Sequence, residues 1–230
     1  MGTLLHLDAG ANDSGESVTR ELSALFAREW RKASLEGEQG YGYGHGYVYR
    51  DLVAEPVPLI DGAYCAFGRR VERGGGLPEG GVAALVADEE EARVWEVTRP
   101  YVDELLAADT VVIGAPLYNY SVSAHLKAWM DRVAFPGAFE APGTGARLLR
   151  GTRVVVAGAR GGDPADGRDF QTPALRAWFG RLGVAPDDLH FVQAGMTLAG
   201  LVPHLADWRP RAAHSYATAR EQVAALGCVG

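Results

Sequence analysis

The sequence predicts an α/β fold: a doubly wound, five-stranded parallel sheet with helices on both faces. Short apolar runs alternate with stretches of helical period along the 230 residues, the pattern of successive β and α units. The runs are almost unbroken, as in TVVIGA at Thr110–Ala115, which suits strands covered on both faces. Five such runs with helical stretches between them fit the doubly wound order, in which a ligand sits where the strand order reverses.

The elements follow in order. Thr3–Asp8 (TLLHLD) reads as a buried strand. Val18, Leu22, Leu25, Phe26 and Trp30 fall on one face of a helix from about Ser17 to Lys32. Tyr47–Leu52 is a second strand, and Asp88–Ala107 a long helix with Pro100 as a kink or boundary. Thr110–Ala115 leads through PLYNYS into a helix over Ser123–Val133. Arg153–Gly158 and Leu189–Gln193 are the remaining strands, with helices over Phe170–Leu182 and Arg209–Leu226. Right-handed crossovers place these helices on both faces. Two Gly-rich segments, near 37–49 and 62–81, read as surface loop insertions in a single domain spanning 1–230.

Composition narrows the function. Hydrophobic residues make up 47% and charged residues 22%, which fits a globular chain rather than a disordered or membrane one. A net charge of −7, with Lys and Arg scattered among acids, argues against nucleic acid as a partner. No apolar stretch reaches the roughly 18–20 residues that a bilayer requires, and the N-terminus lacks the basic start of a signal peptide. A cytoplasmic protein without membrane partners is expected. Cys65 and Cys228 match no metal or redox spacing and read as unpaired thiols. The histidines, His6, His45, His125, His190, His204 and His214, show no metal-ligand spacing, and no nucleophile elbow is present. The acids of Asp88–Glu91 suit the first turn of a helix. Neither a metal site nor a catalytic acid–base residue can be named.

What remains informative is where three loops fall. In a parallel sheet, the loops after adjacent strands open on one edge. Here they are 8–17, 116–121 and 159–166, all rich in residues that let a ligand approach closely. DAGANDSGES opens a helix whose N-terminus is suited to an anion, with Ser14 and Ser17 as added donors. The alternative is that Ser14 or Ser17 only caps the helix. The second loop carries an exposed Tyr and an Asn beside Pro116 and Ser121; Tyr118 as an ordinary packing residue remains open. In the third, Gly161 and Gly162 allow close backbone approach and Arg160 can stabilise negative charge.

The stretch Ala115–Arg132 (APLYNYSVSAHLKAWMDR) resembles the FMN-dependent NADH-azoreductase family of flavodoxin-like quinone and azo-dye reductases, whose signature is close to APMYNF followed by S-x-x-L-K. Ala115, Pro116, Tyr118 and Asn119 match, Leu117 and Tyr120 are conservative replacements, and Leu126-Lys127 fall in place. Ala159-Arg160-Gly161-Gly162 resembles the family's SRGG, and the likeness extends over most of the chain. The resemblance implies a flavodoxin-like fold, a homodimer with one FMN per subunit, and hydride transfer from NADH or NADPH to quinone, azo or related aromatic acceptors. FMN would then be held by Ser14, Ser17, Pro116, Leu117, Tyr118, Asn119, Tyr120, Ala159, Arg160, Gly161 and Gly162. The chain departs from the family at Ala9 and Gly10, where a Ser pair is usual, and at Ala159. Each lost hydroxyl donor to a charged phosphate would cost about 1.5–3 kcal/mol if nothing replaced it. Arg181 and Ala141 stand near positions where aromatics commonly wall the substrate pocket, which implies a more open and polar one. Two other uses fit these departures: a tailoring redox enzyme acting on an aromatic metabolite, or a flavodoxin-like dimeric module that binds flavin weakly or not at all.

Overall fold

A computed structural model describes residues 2–12, 15–36 and 46–228. Among them, five strands form one parallel sheet in the order β2-β1-β3-β4-β5. The strands are β1 (Thr3–Asp8), β2 (Gly46–Asp51), β3 (Thr110–Pro116), β4 (Arg153–Ala159) and β5 (Leu189–Ala194). The helices are α1 (Val18–Glu36), α2 (Gly62–Arg73), α3 (Glu89–Ala107), α4 (Ala124–Val133), α5 (Gln171–Leu182) and α6 (Arg209–Cys228). Strand order reverses between β1 and β3, so the loops after these strands splay apart and leave a crevice.

The two faces of the sheet take alternate residues of each central strand. Leu5, Leu7, Val111, Ile113, Val154 and Val156 join the core beneath α2, α3, α4 and α5. Leu4, Val112, Val155, Ala157 and Val192 face α1 and α6, where Leu22, Phe26, Trp30 and Val223 cover them. β3 is buried along its whole length, whereas β2, at the edge, alternates half-buried and exposed residues. That alternation is the period-2 pattern of a strand covered on one side.

The doubly wound sheet and every strand read from the sequence are present, with ends shifted by no more than one residue. α3 continues through Pro100 without ending there. Two readings are corrected. The segment near 62–81 is not a loop insertion throughout, because its first half is α2. Asp61 caps that helix by accepting from the Tyr64 N–H at 2.9 Å. Tyr64, Phe67, Gly68 and Val71 then repeat at helical spacing on the buried face. Tyr64 and Phe67 pack on the Phe135 ring with centroids 5.1 and 4.9 Å away. The glycines after Arg73 had masked this period. The other insertion, near 37–49, is corrected at its end, since residues 46–49 belong to β2; residues 37–45 lie outside the described residues.

Candidate functional site

The loops after β1, β3, β4 and β5 converge on a cleft of about 550 Å³ at the C-terminal edge of the sheet. Its wall includes Ser17, Pro116, Leu117, Tyr118, Asn119, Ala159, Arg160 and Gly161. It also includes Thr19 at the start of α1 and Thr197, Leu198 and Leu201 after β5.

The first wall is the N-terminus of α1. The Ser17 carbonyl accepts the Glu21 N–H at 2.9 Å, which makes Ser17 the cap and leaves the first N–H groups of the helix at the cleft. The Ser17 and Thr19 hydroxyls are 3.1 Å apart and hydrogen-bonded, and Thr19 is only 3% exposed. Ser17 starts the helix, and both Ser17 and Thr19 line the cleft. A β-carbon on Gly10 would come within 3.2 Å of the Thr19 Oγ1 and 3.7 Å of the Ser17 Oγ. The side chain that is missing at position 10 thus makes room for the hydroxyl at position 19.

The second wall is a tight turn. Tyr118 and Ser121 exchange N–H···O bonds of 3.1 and 3.0 Å, and Asn119 and Tyr120 between them have φ of 47° and 70°. Two successive positive φ values make a type I′ geometry, natural for Asn and costly for Tyr, at about 1–2 kcal/mol. The strain is held by the surroundings: the Tyr120 carbonyl accepts the Phe170 N–H at 2.8 Å, and its hydroxyl accepts from Arg168 at 3.3 Å. The Tyr118 hydroxyl reaches across and accepts the Ala11 N–H at 3.2 Å, tying this turn to the first loop. Beneath them, the buried Gln171 amide donates to the Pro116 carbonyl at 3.1 Å.

The third wall carries a buried cation. Arg160 is 5% exposed, donates through Nη2 to Asp166 at 2.7 Å, and its Nε has no partner among the described residues. The Arg168 backbone N–H, with Arg160 itself, holds the Asp166 carboxyl below the usual range against the opposing effect of desolvation. Gly161 sits against Leu198, which a β-carbon would meet at 2.5 Å, so glycine lets this loop close on the turn after β5.

A family model described as a flavodoxin-like fold matches residues 2–211. The chain is 40% identical to the FMN-dependent NADH:quinone oxidoreductase of Nocardia farcinica, over 99% of this chain and 98% of that one. It is 35% identical to a protein of the same name from Kineococcus radiotolerans, over 95% of each. The chain belongs to the flavodoxin-like family that includes the FMN-dependent NADH:quinone oxidoreductases. A crystal structure of an azoreductase from Bacillus anthracis shares the fold, with a TM-score of 0.75 at 20% identity over 99% of both chains.

Not every residue expected at the site of this family member is there. Gly162 is one step behind the wall, its carbonyl accepting the Met196 N–H at 2.9 Å. Tyr120 points to Arg168, whose guanidinium lies 5.6 Å from the ring centre. Ser14 lies outside the described residues. Arg181 and Ala141 line one cleft together, as expected of a pair, but a separate one of about 490 Å³ at the C-terminal ends of α2 and α5. Arg181 stands ten residues along α5 from Gln171, a rise of about 15 Å. Neither residue lines the edge cleft.

Thr19, Thr197 and Leu198 were missed by sequence reasoning. The S-x-T spacing at the start of α1 was a signal for the first. The rule that every loop after a parallel strand opens on the same edge was a signal for the others. Among the described residues, no helix is long and apolar enough to cross a membrane.

Proposed function

We propose that the edge cleft holds FMN and that the protein transfers hydride from NADH or NADPH, through the flavin, to quinone, azo or related aromatic acceptors. The printed names of the relatives support this reading. The observation that carries it is the pairing, across one cleft, of a helix N-terminus bearing two hydroxyls with a buried arginine whose Nε is unpartnered. A terminal phosphate satisfies the first and the polar edge of a flavin ring the second.

Bound FMN supplies the hydride acceptor and donor. The chain supplies the rest. Ser17, Thr19 and the first N–H groups of α1 hold the phosphate. Pro116, Leu117 and Tyr118 cover the ring, and the Asn119 amide pairs with its polar edge. Arg160 would stabilise negative charge at the ring, in a position where burial strengthens the interaction. Ala9, Gly10 and Ala159 lack the hydroxyls usual in the family, and Thr19 restores one of them at the Gly10 position. That compensation disfavours a module without flavin. A single domain, a homodimer and a cytoplasmic setting complete the proposal.

The test is reconstitution of apoprotein with FMN. A yellow complex, bleached by NADH without oxygen and recoloured by a quinone, is expected. No flavin spectrum with excess FMN would overturn the reading.

A further inference from the structure

We propose that Arg20 is a positioning residue that pre-forms the phosphate-binding loop, an inference that rests on the FMN reading above. All five N–H donors of its guanidinium are engaged. Nε donates to the Asn12 carbonyl at 3.1 Å and Nη2 to the Gly10 carbonyl at 2.8 Å. Nη1 and Nη2 grip the Asp51 carboxylate at 2.7 and 3.0 Å, and Nη1 also reaches the Tyr49 hydroxyl at 3.4 Å.

Two consequences follow for an anion. Arg20 is not part of the cleft wall, whereas Asn12, Ser17 and Thr19 are. The carbonyl oxygens of Gly10 and Asn12 are therefore turned toward a group behind the loop, not toward the cleft, where they would repel phosphate. Arg20 also stands between two carboxylates at the ends of β1 and β2. The Asp8 Oδ2 lies 3.8 Å from Nη1 and takes a hydrogen bond from the Tyr49 hydroxyl at 3.0 Å. Asp51 is paired with it directly. Without Arg20, the two carbonyls and the two acids behind the loop would lose the one cation they share, close to the region meant for a dianion. Asp51 in turn is fixed by the N–H groups of Val53 and Ala54, at 3.0 and 3.2 Å, so the anchor belongs to β2 and the loop is tied to a rigid strand end.

The test compares FMN with riboflavin, which lacks the phosphate, by fluorescence titration of apoprotein. Arg20→Ala is expected to weaken FMN at least about 10-fold and riboflavin less than about 3-fold, since interactions with a charged group are the ones lost. Arg20→Lys, which keeps the charge without the planar fork, should fall between. Asp51→Asn, which frees Arg20 from its anchor, should shift the FMN-to-riboflavin ratio in the same direction and serves if Arg20→Ala does not fold. An equal loss for both flavins, or for neither, in a folded variant would reduce Arg20 to a structural tie and overturn the proposal. Wild-type apoprotein that binds neither flavin overturns the cofactor reading, and this inference with it.

Discussion

Two of the clefts among the described residues are of nearly equal size, about 550 Å³ at the strand edge and about 490 Å³ at the ends of α2 and α5. Their polarity is opposite. The edge cleft receives the N-terminus of α1, two hydroxyls and a buried arginine, all of which attract negative charge, beside one acid, Glu16. The other receives the C-terminal turns of two helices with Glu72 and Glu140, and its one cation, Arg181, stands at a helix end that already favours it. Glu140 is moreover paired with Arg147 outside that wall. Volume does not tell these clefts apart, whereas the direction of the helices that open on them does. In a doubly wound fold the crossover helices run against the strands, so anion sites gather at the strand C-terminal edge.

The sharpest way to break this comparison is Arg160→Ala. If the edge cleft holds the flavin, loss of the buried cation should slow reduction by NADH about 100-fold, the scale of removing one preorganised charge. Stopped-flow absorbance reads it, and an unchanged rate would move the chemistry elsewhere. Asn119→Ala should cost less, about 1–3 kcal/mol in FMN affinity, because it leaves one edge of the ring unpaired. Equilibrium titration checks it; unchanged affinity would mean that Asn119 serves only the positive-φ turn.

A third outcome concerns acid. Hydrogen bonding from Arg20, against the opposing effect of burial, holds the Asp51 carboxyl down at about 2 from 3.8. A depressed carboxyl stabilises the fold fully above its unfolded value and loses that contribution as pH falls through the folded one. Wild type should therefore lose stability between about pH 4 and pH 2 more steeply than Asp51→Asn, measured as denaturant midpoints. Parallel curves would show that the pair does not persist in solution. Smallest of all, Arg181→Phe should leave FMN affinity within about 2-fold, since Arg181 is about 15 Å along α5 from the residue that touches Pro116. If it nevertheless changes the kcat/KM ratio for neutral and anionic quinones, a second copy of the chain must bring this cleft to the edge site.

The sequence by itself determined the sheet. Short, β-branched runs such as TVVIGA and RVVVAG between helical stretches read as buried strands, and parallel topology then forces their following loops to one edge. That sufficed to bring together Ser17, the Pro116–Asn119 stretch and Arg160. Only the tertiary structure decided side-chain direction. Arg20 looks like any surface residue of α1 until Asp51, 31 positions away, is placed beside it by the pairing of β1 with β2. Tyr120 leaves the cleft because its neighbour Asn119 opens a positive-φ turn, which no periodicity reveals. Arg181 is displaced because helix length converts a plausible motif into a distance along α5. Alternation and punctuation are local and survive in one dimension, whereas which way a guanidinium or a phenol points depends on contacts between elements far apart in the chain.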